Sequence, residues 1–493
     1  MVGPASADAR ALITPSAVQF SLAALCALAA LALNFSPESM ELFSGAAAVS
    51  SLVCIIEFAL LLTSPTQIAI WDIFAAIVSL AYGLGTLVAL FNSHFDRFTL
   101  LADTHAWLSV LSTTMSGILL LTALLLLCGQ IDPCRLSPRS PIPRQQHLLI
   151  AIMAMAMLAI SAVLVITGRM GFQADIQISN GLGSETSGIG LLVVTWTPPV
   201  GALALYCARS AEGRLRLLLW LCSACILVVT VTQGRRAFAY EIICYVFAFV
   251  AGGAIKQVPL RRFLLLSVAI APVVVAQFYF FYTMRLVNWE ANEPLKLQEL
   301  VTRTISKVAT ENPVEVSDDL KENVAERSFM IDYLAELFAA TRNHPPIGGR
   351  LLVNGIASAV PSALWPEKPA YVYGADENLV HPELGMPIWD GPNTLLSAGI
   401  SDFGVPGLFL YPIAALLLFS WILRVARRGE PLIYCALFFS ILNILLNIEA
   451  GLAGYTANLR ESLLQAGVFF LLIKFSTLFL PRPRSGAYVD GGP

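Results

Sequence analysis

The sequence predicts an all-α polytopic membrane protein with about twelve transmembrane helices and a large, partly helical loop late in the chain. Three observations carry this. Of the 493 residues, 57% are hydrophobic and only 13% charged, and the mean hydropathy is +0.73, whereas soluble domains hold roughly 25% charged residues. Apolar runs of about 20 residues, the length a bilayer demands, recur from Ala17 to Leu480. Charge is concentrated instead of spread: residues 285–391 hold nine Lys/Arg and sixteen Asp/Glu, 25 of the chain's 63 charged side chains. A soluble enzyme is excluded. The net charge of -3, with basic residues in short scattered clusters, also speaks against a nucleic-acid partner.

Taken in order, the runs centre in 17–34, 42–62, 68–91, 107–129, 147–168, 189–208, 215–232, 236–255, 261–284, 402–423, 431–450 and 461–480. The first is read as a retained helix, because no small-x-small cleavage site precedes polar sequence. With both termini cytoplasmic, fifteen Lys/Arg fall in inside segments and five in the short outside loops, as the positive-inside bias requires. The chain then divides into helices one to nine (1–284), an outside loop (285–391), helices ten to twelve (392–480) and a cytoplasmic tail (481–493). The nine cysteines fall in helices or, for Cys134, in an inside loop, so none is offered to an outside disulfide. Cys222 and Cys225 read as packing within a helix.

Within the outside loop, Leu297, Leu300, Val301, Ile305 and Val308 recur at helical spacing and predict an amphipathic helix at the membrane surface. A second helix is expected over 325–341, with Arg327 inside its apolar stripe, where a guanidinium needs an anionic partner. It ends near His344-Pro345-Pro346, and Gly348-Gly349 permit a turn. Pro361 to Pro369 reads as a rigid, extended segment at headgroup level, and Asn393 to Gly407 as a partly re-entrant stretch. Between helices seven and eight a short outside turn carries Arg235 and Arg236 against the usual bias. Glu449 and Glu461, at the same depth, are candidate partners for them.

Four patterns resemble the bacterial O-antigen polymerase and O-antigen ligase superfamily: Thr232 to Phe238 around Gly234-Arg235-Arg236; Glu326-Arg327 through Gly349; Pro361-Ser362-Ala363-Leu364-Trp365-Pro366-Glu367-Lys368-Pro369; and Asn393 to Gly407. Their order along 232–407 is the core of the match. Pro392 stands where ligase members commonly carry a histidine, which turns the resemblance toward the polymerase branch. The resemblance implies a GT-C-like glycosyltransferase of the bacterial inner membrane that joins undecaprenyl-pyrophosphate-linked oligosaccharide repeats at the periplasmic face. A flippase and a chain-length regulator would be its pathway partners, and it would use no cofactor.

Such a reaction needs fixed cations for the departing pyrophosphate, and arginine suits this with its permanently charged planar fork. Arg327, Arg235 and Arg236 are the first candidates, followed by Arg285, Arg350 and Lys368. An ion pair with a loop carboxylate is the structural alternative for each. A base for the acceptor hydroxyl is sought among His344, His381, Asp390 and Asp402. Trp365, with Trp389, Tyr371 and Tyr373, offers faces for sugar stacking, and Asn393 offers hydrogen bonds. No metal-ligand spacing is present. Twelve helices also suit a transporter or flippase, but no repeat of one half in the other is visible.

Overall fold

The computed structural model describes residues 70–84, 141–167, 188–231, 235–251, 297–310, 330–361, 364–368, 376–387 and 391–479, with isolated positions before residue 57 and between 272 and 295. The expected spans at 17–34, 42–62, 107–129 and 261–284 lie wholly or mostly outside them. Among the described residues every regular element is helical. In chain order these are α1 (Ile70–Val78), continued by a π-helical turn (Ser79–Leu84), α2 (Arg144–Ile166), α3 (Gly188–Ala208), α4 (Gly213–Val231), α5 (Arg235–Ala251), α6 (Leu297–Thr310), α7 (Met330–Asn343), α8 (Arg350–Ala359), α9 (Glu377–Glu383), α10 (Leu395–Phe403), α11 (Gly407–Ala426), α12 (Pro431–Leu446) and α13 (Gly451–Phe479).

Among the described residues three helices, α2, α4 and α11, are long and apolar enough to cross a membrane. Their outer faces leave large apolar side chains such as Val163, Leu217 and Trp421 uncovered, as lipid-facing helices do. α3 packs against α2, α4, α5, α12 and α13 and so forms the middle of the bundle. α12 lies deep as well, since every residue from Tyr434 to Leu442 is buried. A helix apolar all round has no solvent face to offer.

The late part of the chain forms a second layer of short helices over one end of this bundle. α7 stops at Asn343, where Pro345 and Pro346 cannot donate backbone hydrogen bonds. The following turn docks on the end of α10 through Ile347 N–H to Ser401 O (2.9 Å) and Gly348 N–H to Asp402 O (2.8 Å). α10 begins with a capping box in which Thr394 and Ser397 satisfy each other's backbone N–H. It meets α11 backbone to backbone: a Cβ on Gly399 would stand 2.2 Å from Gly407 O.

Several sequence expectations are corrected by these contacts. The tenth run, 402–423, falls on α11 within a few residues, while the preceding stretch from Asn393 forms the short helix α10, closed at Gly404. The last helix starts at Gly451 instead of 461, its first turn being capped from outside by Asp376. Pro361 to Pro369 is not extended where it is described: Pro361 O accepts from both Leu364 N–H and Trp365 N–H, and Lys368 N–H bonds Trp365 O. On α6, Leu300 and Thr304 are buried against the protein, and Ile305 of the expected membrane-surface stripe is exposed.

Candidate functional site

The outer layer is tied to the bundle by charged side chains that satisfy helix ends. A helix leaves its first N–H and last C=O groups without internal partners, and here those partners come from distant residues. Asp402, fully buried at the end of α10, accepts from Leu351 N–H (3.1 Å) and Leu352 N–H (3.2 Å) in the first turn of α8, and from the Tyr411 hydroxyl. Asp376 accepts from Leu452 N–H (2.8 Å) at the start of α13. Burial pushes the Asp376 carboxyl up from 3.8 to about 6, with Glu377 adding to the rise and the Leu452 N–H opposing it. At the other end of α8, Lys368 Nζ donates to Ser358 O (2.5 Å) and Val360 O (2.9 Å), while Arg460 Nη1 donates to Ala359 O (3.2 Å). Desolvation lowers the Lys368 pKa, and the neighbouring Arg460 charge lowers it further.

Between these caps lies a polar cluster centred on Asn393. Its Nδ2 donates to Glu377 Oε2, its Oδ1 accepts from Tyr333 Oη at 3.4 Å, and its carbonyl accepts from Gly451 N–H at 3.1 Å. Tyr333 Oη also stands 3.1 Å from His381 Nε2, with the two rings edge to face. Burial lowers the His381 pKa and favours the neutral imidazole. Thr394, next in the chain, reaches Tyr82 Oη at 2.8 Å, which brings the π-helical turn after α1 into the cluster. Five helices or turns therefore meet within a few residues of Asn393, and Glu377 keeps part of its surface open.

The residues proposed from sequence are dispersed around this cluster. Asn393 is its centre. Asp402 lies at the far end of α10, where both carboxylate oxygens are engaged, the bonding of a remote helix cap and not of a base open to an acceptor hydroxyl. His344 is exposed beyond α7, and Arg350 pairs with Glu383 (2.7 Å) at the surface. Lys368 serves the α8 carbonyls, and Trp365 sits half-buried in the turn beside it. Arg235 and Arg236 open α5, but their side chains, like Arg285 and Arg327 as a whole, lie outside the described residues. Glu461 contacts the adjacent Arg460, and its expected pairing with the Arg235-Arg236 turn lies outside the described residues.

Sequence reasoning passed over Asp376, Glu377, Tyr333, Tyr82 and Thr394 as site residues. Only the adjacent carboxylates of Asp376-Glu377, four residues before His381, offered a local signal. It also passed over Glu241, which is fully buried between α3, α4 and α5, with neither carboxyl oxygen hydrogen-bonded among the described residues. Tyr245 Oη lies beside it, but donates to Ser223 O at 2.6 Å. Glycine at 201 is what admits the carboxyl: a Cβ there would stand 2.5 Å from Glu241 Oε1 and 2.6 Å from Tyr245 Oη.

Among the described residues no group of three or more His, Cys, Asp or Glu is arranged to hold a metal ion. Compared with known protein families, curated proteins and solved structures, the chain matches none. Chemically, the Asn393 cluster presents the partly open Asn393 amide and Glu377 carboxylate, backed by the buried Tyr333 phenol and His381 imidazole, a set that can both donate to and accept from a polyhydroxylated ligand.

Proposed function

We propose that the protein is a metal-independent glycosyltransferase of the bacterial inner membrane, with about twelve spans, a GT-C-like architecture and both termini cytoplasmic. It polymerises undecaprenyl-pyrophosphate-linked oligosaccharide repeats into a surface polysaccharide at the periplasmic face. The observation that carries this reading is the Asn393 cluster: hydrogen-bonding side chains suited to sugar hydroxyls gather where a charge-rich layer covers the ends of apolar helices. The acceptor sugar binds at Asn393, Glu377 and Tyr333, with Glu377, the partly open carboxylate, closest to the acceptor hydroxyl. Arg235, Arg236, Arg285 and Arg327 supply charge for the departing pyrophosphate. Asp402 holds α8 in place, and Arg350 and Lys368 act as supports of the layer. His344 is left as a surface group.

In a strain lacking the protein, single lipid-linked repeats accumulate, and the wild-type chain restores polymer whereas Asn393→Ala does not. Full-length polymer accumulating on the lipid would identify a ligase-type transfer instead. Polymerisation in the presence of EDTA is unchanged, and loss of activity restored by one divalent ion would overturn metal independence. A second reading, transport of the lipid-linked precursor, draws on Glu241, because an intramembrane carboxyl commonly marks a proton or substrate path. That reading expects repeats to accumulate on the cytoplasmic side.

A further inference from the structure

The charge-rich layer contains one stretch that contradicts its composition. From Leu351 to Pro366 no residue is charged, although the 107 residues around it carry 25 charges. Most of this stretch is α8, a ten-residue helix too short to cross a bilayer. Its inner face, Leu351, Asn354 and Gly355, is buried. Its outer face is also apolar and is bare: Val353 is 67% exposed, Ile356 57%, and Leu364 in the turn beyond it 78%.

Most of the backbone carbonyls at the end of α8 are satisfied without water. Gly355 O accepts from Thr456 Oγ1 (2.6 Å), and Ala357 O from Val360 N–H (3.1 Å). Ser358 O and Val360 O accept from Lys368 Nζ, Ala359 O from Arg460 Nη1, and Pro361 O from two N–H groups of the following turn. A helix end in water needs none of this, whereas one placed in hydrocarbon needs all of it, since every unsatisfied group there costs several kcal/mol.

Depth agrees. α8 runs beside the first turns of α13, with Gly355 on Leu452 and Ala359 at Arg460. α13 has 29 residues, about 44 Å at a rise of 1.5 Å per residue, more than the roughly 30 Å of hydrocarbon. Setting Lys474, the one charged residue between Glu461 and Pro481, at the far surface and counting about 20 residues back puts the near boundary close to Tyr455. That is the level of Gly355.

We propose that residues 350–361 and 364–368 lie as a re-entrant element in the bilayer leaflet on the side of the charged layer. The apolar face of α8 and the Leu364 tip lie among lipid acyl chains, and Lys368 and Arg460 close the helix end from the protein side. The occupant of the bare face is bilayer lipid, and the inference stands apart from the proposed glycosyl transfer.

The test uses the full chain, with its nine cysteines replaced, in vesicles of phosphatidylethanolamine and phosphatidylglycerol. Nitroxide labels are placed at 353, 356 and 364, with 383 as the reference in water. All four positions are exposed, and label 383 gives up only the surface ion pair with Arg350. Labels at 356 and 364 collide severalfold more with oxygen than with a nickel chelate, label 353 falls between, and label 383 shows the reverse preference. Nickel-favoured collisions at 356 and 364 overturn the proposal. Low accessibility to both reagents with dipolar broadening also overturns it, by assigning the face to a second copy of the chain.

Discussion

Asp402 and Asp376 belong to the layer over α10 and α13, and Glu241 to the bundle below, yet all three carboxyls are buried to a similar degree. In the layer, each carboxylate is set against the N-terminus of a helix remote in sequence, 51 residues away for Asp402 and 76 for Asp376. In the bundle, Glu241 accepts from no backbone N–H among the described residues and lies beside a phenol whose proton goes to Ser223 O. Burial therefore does not say what a carboxylate contributes. The groups facing it do. A carboxylate facing helix N–H groups also gains from the helix dipole, and it carries the contact between segments that the chain does not otherwise join.

The largest effect that sharpens this contrast is expected at Asp402→Ala. Removal leaves two N–H groups of α8 and the Tyr411 hydroxyl without their acceptor, at about 1–3 kcal/mol for each buried orphan. The loss of stability is roughly 3 kcal/mol or more, read as a lower melting temperature of the solubilised protein by size-exclusion profile after heating. A loss under about 1 kcal/mol, the size of a surface effect, would break the comparison at its stronger end.

Next is the pH dependence assigned to Asp376. Its carboxyl titrates at about 6 in the fold against 3.8 unperturbed, so the folded state holds the proton more tightly than the unfolded chain. The stabilisation is complete below the unfolded value and is lost as pH rises through about 6. Asp376→Asn keeps an acceptor for Leu452 N–H and cannot ionise. Its stability is flat over that window, whereas the wild type falls by roughly 3 kcal/mol. Parallel curves for the two proteins would remove Asp376 as the cause.

Much of the bundle was legible in the sequence because apolar runs and the break at each end are local signals. The runs at 147–168, 189–208 and 215–232 fall on α2, α3 and α4 within a few residues. The layer was less legible. Asp402 and Lys368 were singled out as charged residues near prolines and glycines, but their partners are backbone groups of α8, and α8 itself carried no pattern separating it from a loop. Asn393 was found, through its place at the start of a polar stretch, while Glu377 and Tyr333 became neighbours only through tertiary packing. Glu241 escaped because one acidic residue in an apolar helix looks alike whether it is paired or not.

A middling effect is expected where that helix is crowded. Gly201→Ala drives a methyl into Glu241, Tyr245 and Ile226, with a nominal approach of 2.8 Å to the last. Overpacking of this kind costs about 1–3 kcal/mol. In a Glu241→Ala background the same substitution costs less, because the nearest atom has been removed, and the difference is the coupling between the two sites. Equal costs in both backgrounds would place the clash on Tyr245 and Ile226 and disconnect Gly201 from the carboxyl.

The smallest effect is the most discriminating, because it applies one chemical change to both regions. Replacing a carboxylate oxygen by an amide nitrogen preserves shape and removes one acceptor. At Asp402 both oxygens accept, so Asp402→Asn aims an NH2 at a donor whichever way the amide turns, and costs about 1–3 kcal/mol. At Glu241 neither oxygen accepts from a backbone group, so Glu241→Gln shifts stability by less than about 1 kcal/mol. Activity then carries the information that stability does not: if Glu241 serves a proton or substrate path, Glu241→Gln loses function while melting like the wild type. A Gln variant that is both stable and fully active reduces Glu241 to a tolerated occupant of the space left by Gly201, and with it the transport reading loses its observation.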